Sequence, residues 1–152
     1  MKITKIGKKG LELIKSFEGL KLKPYLCDAG VPTIGFGNTF YENGKKVTLN
    51  DQVITEQRAV ELLEYSLLKF EQYVDSYCRD DINQNQFDAL VSFCYNLGPV
   101  NLKNSTLLKK VNKNPNDITI RNEFMKWNKA GGRALKGLTK RRTAEADLYF
   151  SK

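Results

Sequence analysis

Glu18 is the residue of this sequence best placed to donate a proton in catalysis. It follows the apolar Phe17 at the end of a predicted helix and precedes a glycine-rich stretch with exposed backbone. A carboxyl group partly buried at such a point keeps its proton and can donate it to a leaving oxygen. From these neighbours alone, a solvated glutamate at a helix terminus is the more common explanation, so both interpretations stay open.

The 152 residues contain no histidine, which narrows the possible chemistry. Ser-His-Asp and Cys-His nucleophile systems and histidine-ligated metals are excluded, so acid–base catalysis falls to carboxylates, Cys, Tyr or Lys. The three cysteines, Cys27, Cys78 and Cys94, are odd in number and widely spaced. This predicts reduced thiols rather than a disulfide framework or a zinc site, and we expect no metal and no cofactor.

A helix, short strands and a longer helix are predicted in the N-terminal half. An amphipathic helix over 4–17 is expected to end at Gly19, which can adopt a left-handed cap conformation. Between residues 20 and 41, Pro and Gly separate short apolar pieces, as in small strands joined by turns. Asn43-Gly44 is a tight-turn signal, and apolar residues at steps of three and four predict a helix over 55–78.

Helices are predicted for most of the C-terminal half. Asn83 and Gln86 form a capping-box pattern at the start of an almost wholly apolar helix that closes at Gly98-Pro99. This helix is expected to form the core of a second lobe. Further helices are predicted over 105–112, 116–127 and 139–150, with a loop at 130–133.

Together these elements predict a single α+β domain over 1–152. A small lobe with a short antiparallel sheet covers about 15–55 and a connecting helix covers about 55–78. A larger helical lobe covers about 80–152 and includes the N-terminal helix. A cleft between the lobes is the expected binding site.

Two stretches around Glu18 resemble the catalytic region of the phage lysozymes (glycoside hydrolase family 24): 17–25 (FEGLKLKPY) and 30–39 (GVPTIGFGNT). That family uses a Glu, then an Asp or Cys after eight intervening residues, then a Thr after five more. Glu18, Cys27 and Thr33 match this spacing without a gap. The resemblance continues in order over nearly the whole chain, through 83–93 (NQNQFDALVSF), 104–108 (NSTLL) and 127–132 (WNKAGG).

The resemblance implies a lysozyme-like fold and hydrolysis of the β-1,4 bond between N-acetylmuramic acid and N-acetylglucosamine in bacterial peptidoglycan. Glu18 would be the general acid and Thr33 would position the attacking water. Cys27 would occupy the second catalytic position, although a neutral thiol assists water poorly and a thiolate requires a lowered pKa. The adjacent Asp28 is the alternative carboxylate, and Cys27 as a small buried apolar residue also stays open.

Four further positions are weaker candidates. Asn96 resembles a substrate-binding amide for an N-acetyl group, with a simple turn residue as the alternative. Arg141 or Arg142 is expected to pair with Glu18 or to belong to a basic surface patch. Asn38 stands where many relatives have a histidine, so a pH-dependent stability that depends on that histidine should not be carried over.

The net charge of +8 is divided between two basic ends and an acidic middle. This pattern favours a polyanionic partner, and the resemblance makes that partner peptidoglycan. A nucleic-acid-binding module using Lys136, Lys140 and the two following arginines is the remote alternative, without a recognised motif. Among enzymes, the alternative is a lytic transglycosylase that gives 1,6-anhydromuramyl products, against which the presence of Thr33 favours hydrolysis.

The sequence shows no apolar run near the ~18 residues that span a bilayer, and no signal-peptide pattern at the N-terminus. We therefore expect no stable membrane insertion. The enzyme is expected to accumulate in the host cytoplasm until a holin-type pore releases it to the cell wall. We also expect a monomer that binds no nucleic acid.

Overall fold

The computed structural model describes residues 2–152. Its helices are α1 (Lys8–Glu18), α2 (Glu56–Tyr77), α3 (Gln84–Leu97), α4 (Pro99–Lys103), α5 (Thr106–Lys113), α6 (Ile120–Met125) and α7 (Lys136–Tyr149). Its strands are β1 (Lys21–Leu26), β2 (Pro32–Gly35), β3 (Lys129–Ala130) and β4 (Arg133–Ala134). The α+β class is confirmed, since helices are combined with two antiparallel strand pairs. Over 2–152, no helix has both the length and the apolar character that a membrane span requires.

The chain divides into two compact units, and each is described separately. One unit is continuous and consists of Lys15–Leu68. The other is discontinuous and combines the residues up to Ile14 with Lys69–Lys152. The boundaries fall inside α1 and α2, so each of these two helices contributes residues to both units.

The β1–β2 hairpin and the turn that follows it organise the continuous unit. Tyr25 lies opposite Thr33 in the antiparallel pair. The predicted turn is confirmed, because Asn43 Oδ1 accepts a hydrogen bond from the Lys45 amide at 2.9 Å and Gly44 has a φ of +83°. The core of this unit contains Ile34, Val47 and Leu62, with Tyr41 and Ile54 packed against it.

Helix α3 forms the core of the discontinuous unit, as its apolar pattern predicts. Every residue from Gln86 to Cys94 is buried. The capping box is confirmed: Asn83 Oδ1 accepts from the Gln86 amide and Gln86 Oε1 accepts from the Asn83 amide, both at 2.9 Å. Helix α3 packs against α7, and α7 also packs against α6. Edge-to-face aromatic contacts reinforce this packing, between Phe93 and Phe124, Phe93 and Trp127, and Phe124 and Tyr149.

The helix predicted over 4–17 begins later than expected, at Lys8. Its first helical hydrogen bond runs from the Leu11 amide to the Gly7 carbonyl at 3.0 Å. Asp88, on α3, accepts hydrogen bonds from the Gly7 and Gly10 amides at 2.9 and 3.1 Å. The helix therefore starts where the Asp88 carboxylate accepts hydrogen bonds from backbone amides that would otherwise have no partner. This capping residue lies 81 positions after Gly7 in the sequence.

The loop predicted over 130–133 is wrong, because β3 and β4 form a short hairpin there. Its turn residues, Gly131 and Gly132, have φ values of +59° and +77°, which a type I′ hairpin turn requires. Helix α7 then begins at Lys136, three residues before the predicted start.

Two helices after α3 also differ from the prediction. Helix α6 is shorter than the predicted 116–127, because Asp117 Oδ1 accepts from the Thr119 amide at 2.9 Å and holds a turn before it. The short α4 is not predicted by any apolar pattern. It begins with Pro99, whose fixed φ suits the first position of a helix.

Candidate active site

Glu18 is the last residue of α1, and glycines allow the backbone to approach its carboxylate. The Gly19 amide donates to the Lys15 carbonyl at 3.2 Å, and the φ of +73° at Gly19 ends the helix as predicted. A methyl group added at Gly37 would lie 3.8 Å from Glu18 Oε1, so the half-buried side chain reaches the turn after β2.

Cys27 begins the loop between β1 and β2, and hydrogen bonds fold this loop around it. Its amide donates to the Val31 carbonyl at 3.1 Å, and its carbonyl accepts from the Gly30 amide at 2.8 Å. Hydrogen bonds to the sulfur from the Val31 and Ala29 backbone and from the Thr33 hydroxyl lower the pKa of the Cys27 thiol. The side chain is half-exposed, so its interpretation as a buried apolar residue is wrong.

The hydroxyl of Thr33 is bound to the loop that holds Cys27. Thr33 is 3% exposed, and its Oγ1 donates to the Val31 carbonyl oxygen at 2.8 Å. The same hydroxyl is one of the groups that lower the pKa of the Cys27 thiol. A hydroxyl has a single proton to donate, so Thr33 cannot give it to Val31 and to the sulfur at the same time.

Asp28 follows Cys27 in the same loop and is exposed. Among residues 2–152, no side chain or amide binds its carboxylate. Nothing in the loop therefore holds this carboxylate in one orientation, in contrast to the sulfur of Cys27.

Asn96, Arg141 and Arg142 belong to the discontinuous unit. Arg142 is fully buried; its Nε lies 2.8 Å from Glu145 Oε1, and its Nη2 donates to Asn96 Oδ1 at 2.7 Å. Arg141 is 4% exposed, and its Nε lies 3.4 Å from Glu145 Oε2. A basic surface patch that includes these arginines is wrong, because both are buried against Glu145. The pairing of either arginine with Glu18 stays a prediction.

Ser92 and Glu145 complete this buried group, and no motif in the sequence indicates them. Ser92 Oγ donates to Glu145 Oε2 at 2.5 Å, and both residues are fully buried. The signal in the sequence that could have indicated them is their helical spacing from the predicted site residues. Ser92 lies one turn before Asn96 on α3, and Glu145 lies one turn after Arg142 on α7.

Asn38 is held by neutral partners. It is 7% exposed, and its Nδ2 donates to Ser66 Oγ at 2.7 Å and to the Leu62 carbonyl at 3.3 Å. Within residues 2–152 these partners do not titrate, since amide, hydroxyl and carbonyl groups keep their charge state across the pH range.

Known proteins resemble this chain in both sequence and fold. The Phage lysozyme family model matches residues 15–145. The Endolysin of Bacillus phage B103 is 43% identical over 146 residues, which are 96% of this chain and 54% of that relative. The Endolysin of Acyrthosiphon pisum secondary endosymbiont phage 1 is 41% identical over 150 residues, covering 96% of this chain and 98% of that relative.

The fold comparison agrees with these matches. A crystal structure of a P22 lysozyme mutant has a TM-score of 0.88 and 34% sequence identity, covering 98% of this chain and 100% of that one. The chain spans about half the length of the first two relatives it matches, 54% and 55%. Because the family model and the relatives cover nearly the whole chain, the chain belongs to the phage lysozyme family.

Proposed function

We propose that this chain is an endolysin that hydrolyses the β-1,4 bond between N-acetylmuramic acid and N-acetylglucosamine in bacterial peptidoglycan. The β1–β2 hairpin is the observation that carries the proposal, because it holds Thr33 on one strand and Cys27 at the start of the connecting loop. Hydrogen bonds in this loop lower the pKa of the Cys27 thiol, which suits a proton acceptor that acts together with a proton donor at Glu18. The relatives named Endolysin, at 43% and 41% identity, support the class of substrate.

In this mechanism Glu18 donates its proton to the glycosidic oxygen as the bond from that oxygen to C1 of the muramic acid breaks. A water molecule attacks C1, where positive charge develops, from the opposite face. The Thr33 hydroxyl holds this water, and the Cys27 thiolate takes the proton that the water loses. Solvent then returns a proton to Glu18 and removes one from Cys27, so the enzyme is regenerated.

The contacts favour Cys27 over Asp28 as the second catalytic group. Hydrogen bonds in the loop lower the pKa of the Cys27 thiol, whereas no described residue binds the Asp28 carboxylate. Turnover by Cys27→Ala and Asp28→Ala separates the two: we expect a loss of about 10²–10⁴-fold for the first and little change for the second. Full activity of Cys27→Ala would overturn this assignment.

Product analysis on purified peptidoglycan tests the whole proposal. Wild type, Glu18→Gln and Cys27→Ala are compared by mass spectrometry of the released muropeptides. We expect wild type to give reducing N-acetylmuramic acid ends, and Glu18→Gln to give none above background, because an amide cannot donate the proton. Clearance of cell walls by Glu18→Gln at the wild-type rate would point instead to a charge-driven, non-enzymatic effect.

The same measurement decides between hydrolysis and the transglycosylase reaction. A transglycosylase closes a 1,6-anhydro ring on the muramic acid and adds no water, so its products are lighter by one water molecule. We expect no anhydromuramyl products, since Thr33 is available to hold a water. The monomeric state, the absence of nucleic-acid binding, and release from the host cytoplasm through a holin-type pore stay predictions.

A further inference from the structure

We infer that Arg142 fixes the polarity of the Asn96 side-chain amide, so that Asn96 offers a donor to an acetamido carbonyl oxygen of the glycan. This inference rests on the proposed function. It goes further by assigning Arg142 as a positioning residue and Asn96 as a residue that selects N-acetylated sugars.

Two residues one turn apart on α3 connect that helix to a buried ion pair on α7. Ser92 Oγ donates to Glu145 Oε2 at 2.5 Å, and Asn96 Oδ1 accepts from Arg142 Nη2 at 2.7 Å. The ion pair itself joins Arg142 Nε to Glu145 Oε1 at 2.8 Å, with both side chains fully buried. Asn96 is thus the exposed end of a group whose other members are enclosed.

The guanidinium of Arg142 is held in one orientation. It pairs with Glu145 on one side and lies over the Phe93 ring, 5.2 Å from the ring centroid. A guanidinium has N–H donors and no acceptor, and it stays protonated throughout the working pH range. Only the oxygen of the Asn96 amide can therefore face it.

An amide with its oxygen fixed in this way has its nitrogen fixed as well. A free asparagine can turn over and present either a donor or an acceptor, but Asn96 presents only its Nδ2 group to solvent. Within residues 2–152, this group has no partner, and Asn96 is exposed at the end of α3. Its complement on a ligand is a hydrogen-bond acceptor.

In the proposed substrate, the acetamido carbonyl is the strongest neutral acceptor on each sugar. If the acetamido N–H faced Asn96 Nδ2 instead, two donors would meet and a hydrogen bond would be lost. The contact therefore requires the carbonyl oxygen of the acetamido group. De-N-acetylated sugar carries an ammonium group instead, which is a donor only. Asn96 is thereby expected to discriminate between the two forms of glycan.

The energetic cost of the buried group supports a role beyond packing. Desolvating an arginine and a glutamate is costly, and apolar side chains of similar size often stabilise a fold equally well. In addition, Arg142 Nη1 is buried and has no hydrogen-bond partner among residues 2–152, and Arg142 Nε and Glu145 Oε1 form an ion pair at 2.8 Å without a hydrogen bond between them. Packing alone therefore does not require this group, and one result of it is an exposed amide, Asn96, with a fixed orientation.

Asn96→Asp is the direct test, because Asp has the same shape and keeps the contact to Arg142 as an ion pair. Its outward atom becomes an acceptor instead of a donor. Binding is measured in the Glu18→Gln background, with peptide-free glycan strands in N-acetylated and de-N-acetylated form. We expect the Kd for N-acetylated glycan to rise about tenfold, with equal or tighter binding of de-N-acetylated glycan, whose ammonium faces the new carboxylate.

Asn122→Asp is the matched control, since it makes the same charge change at an exposed position of α6. It is expected to bind both glycans as the parent does. An Asn96→Asp protein that weakens both glycans equally, or neither, overturns the inference. A melting temperature equal to or above that of the parent is expected, because the Arg142 contact gains charge.

Arg142→Lys tests the positioning role separately. An ammonium keeps the positive charge but has no planar fork to fix the amide plane. We expect the preference for N-acetylated over de-N-acetylated glycan to narrow, with KM rising severalfold and kcat changing by less than about twofold. An unchanged preference contradicts a positioning role.

Failure of this inference is distinguishable from failure of the proposed function. If Glu18→Gln hydrolyses peptidoglycan at the wild-type rate, the proposed function fails. If hydrolysis requires Glu18 but Asn96→Asp shows no selective loss on N-acetylated glycan, only the inference fails.

Discussion

At the scale of single residues, the loop between β1 and β2 favours the ionised form of Cys27. Hydrogen bonds from the Val31 and Ala29 backbone and from the Thr33 hydroxyl lower the pKa of this thiol. Cys78 and Cys94 show the opposite behaviour, since burial raises the pKa of each thiol to about 12. A thiolate therefore forms at Cys27 far more readily than at either buried cysteine.

The pH dependence of turnover reports on this thiolate. If Cys27 accepts the proton of water, kcat/KM rises as pH rises through the lowered pKa of Cys27, because only the thiolate can act. Cys27→Asp should lose this part of the profile, since a carboxylate is ionised across about pH 5–9. The check is kcat/KM against pH for both proteins. Asp28→Asn is the control and should keep the wild-type profile; a profile unchanged in Cys27→Asp contradicts the role.

At the scale of elements, the start of α1 depends on α3. The Asp88 carboxylate accepts from the Gly7 amide, just before α1, and from the Gly10 amide in its first turn, and this contact leaves no room for a side chain at Gly10. A methyl group added at Gly10 would lie 2.5 Å from the Asp88 Cβ. The close approach of the two helices thus requires glycine at this position.

Gly10→Ala is therefore expected to lower the free energy of unfolding by about 1–3 kcal/mol, because Asp88 must move and its amide contacts weaken. Gly137→Ala is the matched control, since it also lies in a helix but, outside its own helical turn, no described atom lies within 4 Å of the added methyl group. It should stabilise the protein slightly, by up to about 1 kcal/mol. Urea unfolding of both variants measures the difference, and equal effects would contradict the steric explanation.

A second contact between elements connects α2 to the segment after the β1–β2 hairpin. Both Arg58 Nη atoms donate to the two carboxylate oxygens of Glu42 at 2.6 Å, and this fork lowers the pKa of Glu42 to about 2. Since the folded pKa is depressed, the stabilisation is present above the unfolded pKa of about 4.3 and is lost as pH falls towards about 2.

Arg58→Gln should remove this contribution. The loss of unfolding free energy is expected to be about 1 kcal/mol or less at neutral pH, because the pair is partly solvated, and to shrink between about pH 5 and pH 2. Denaturant titrations at several pH values measure it. Lys109→Gln, at an exposed lysine without an ion pair among the described residues, is the control and should show no such trend.

At the scale of the whole molecule, the net charge is +8, and several of its cations are exposed and form no ion pair with a described residue. The β3–β4 hairpin and the start of α7 carry four of them, at Lys129, Arg133, Lys136 and Lys140, and no described residue forms an ion pair with any of these. Such a surface attracts a polyanionic wall at long range, and dissolved salt screens that attraction.

Lysis by wild type should therefore slow severalfold between low salt and about 0.3 M, where the screening length is only about 6 Å. Replacing Lys129 and Arg133 with Gln should lower the rate at low salt and flatten the salt dependence. Replacing Lys109 and Lys113 with Gln removes the same charge from α5 and is the control. Turbidity assays over the salt series measure these effects; equal flattening by both pairs would show that net charge, rather than the hairpin, is responsible.

The sequence predicts those parts of the molecule that depend on near neighbours. The Asn83–Gln86 capping box and the Asn43-Gly44 turn follow from residues within a few positions of each other, and both are confirmed. The cap of α1 by Asp88 could not be predicted, because its partners are 81 positions apart. Likewise, the burial of Arg142 against Glu145 depends on how α7 packs, which no local pattern reports.

The discontinuity of the larger unit has a consequence for how the protein is made. A ribosome completes Lys15–Leu68 before it adds Asp88, whereas the residues up to Ile14 belong with a segment that is synthesised later. The continuous unit can therefore fold while the chain is still being synthesised. The first turn of α1 cannot be capped until Asp88 has been synthesised. Pulling a stalled nascent chain with optical tweezers should show a first compaction near the length that exposes residue 68, and a second only after most of α7 has left the exit tunnel.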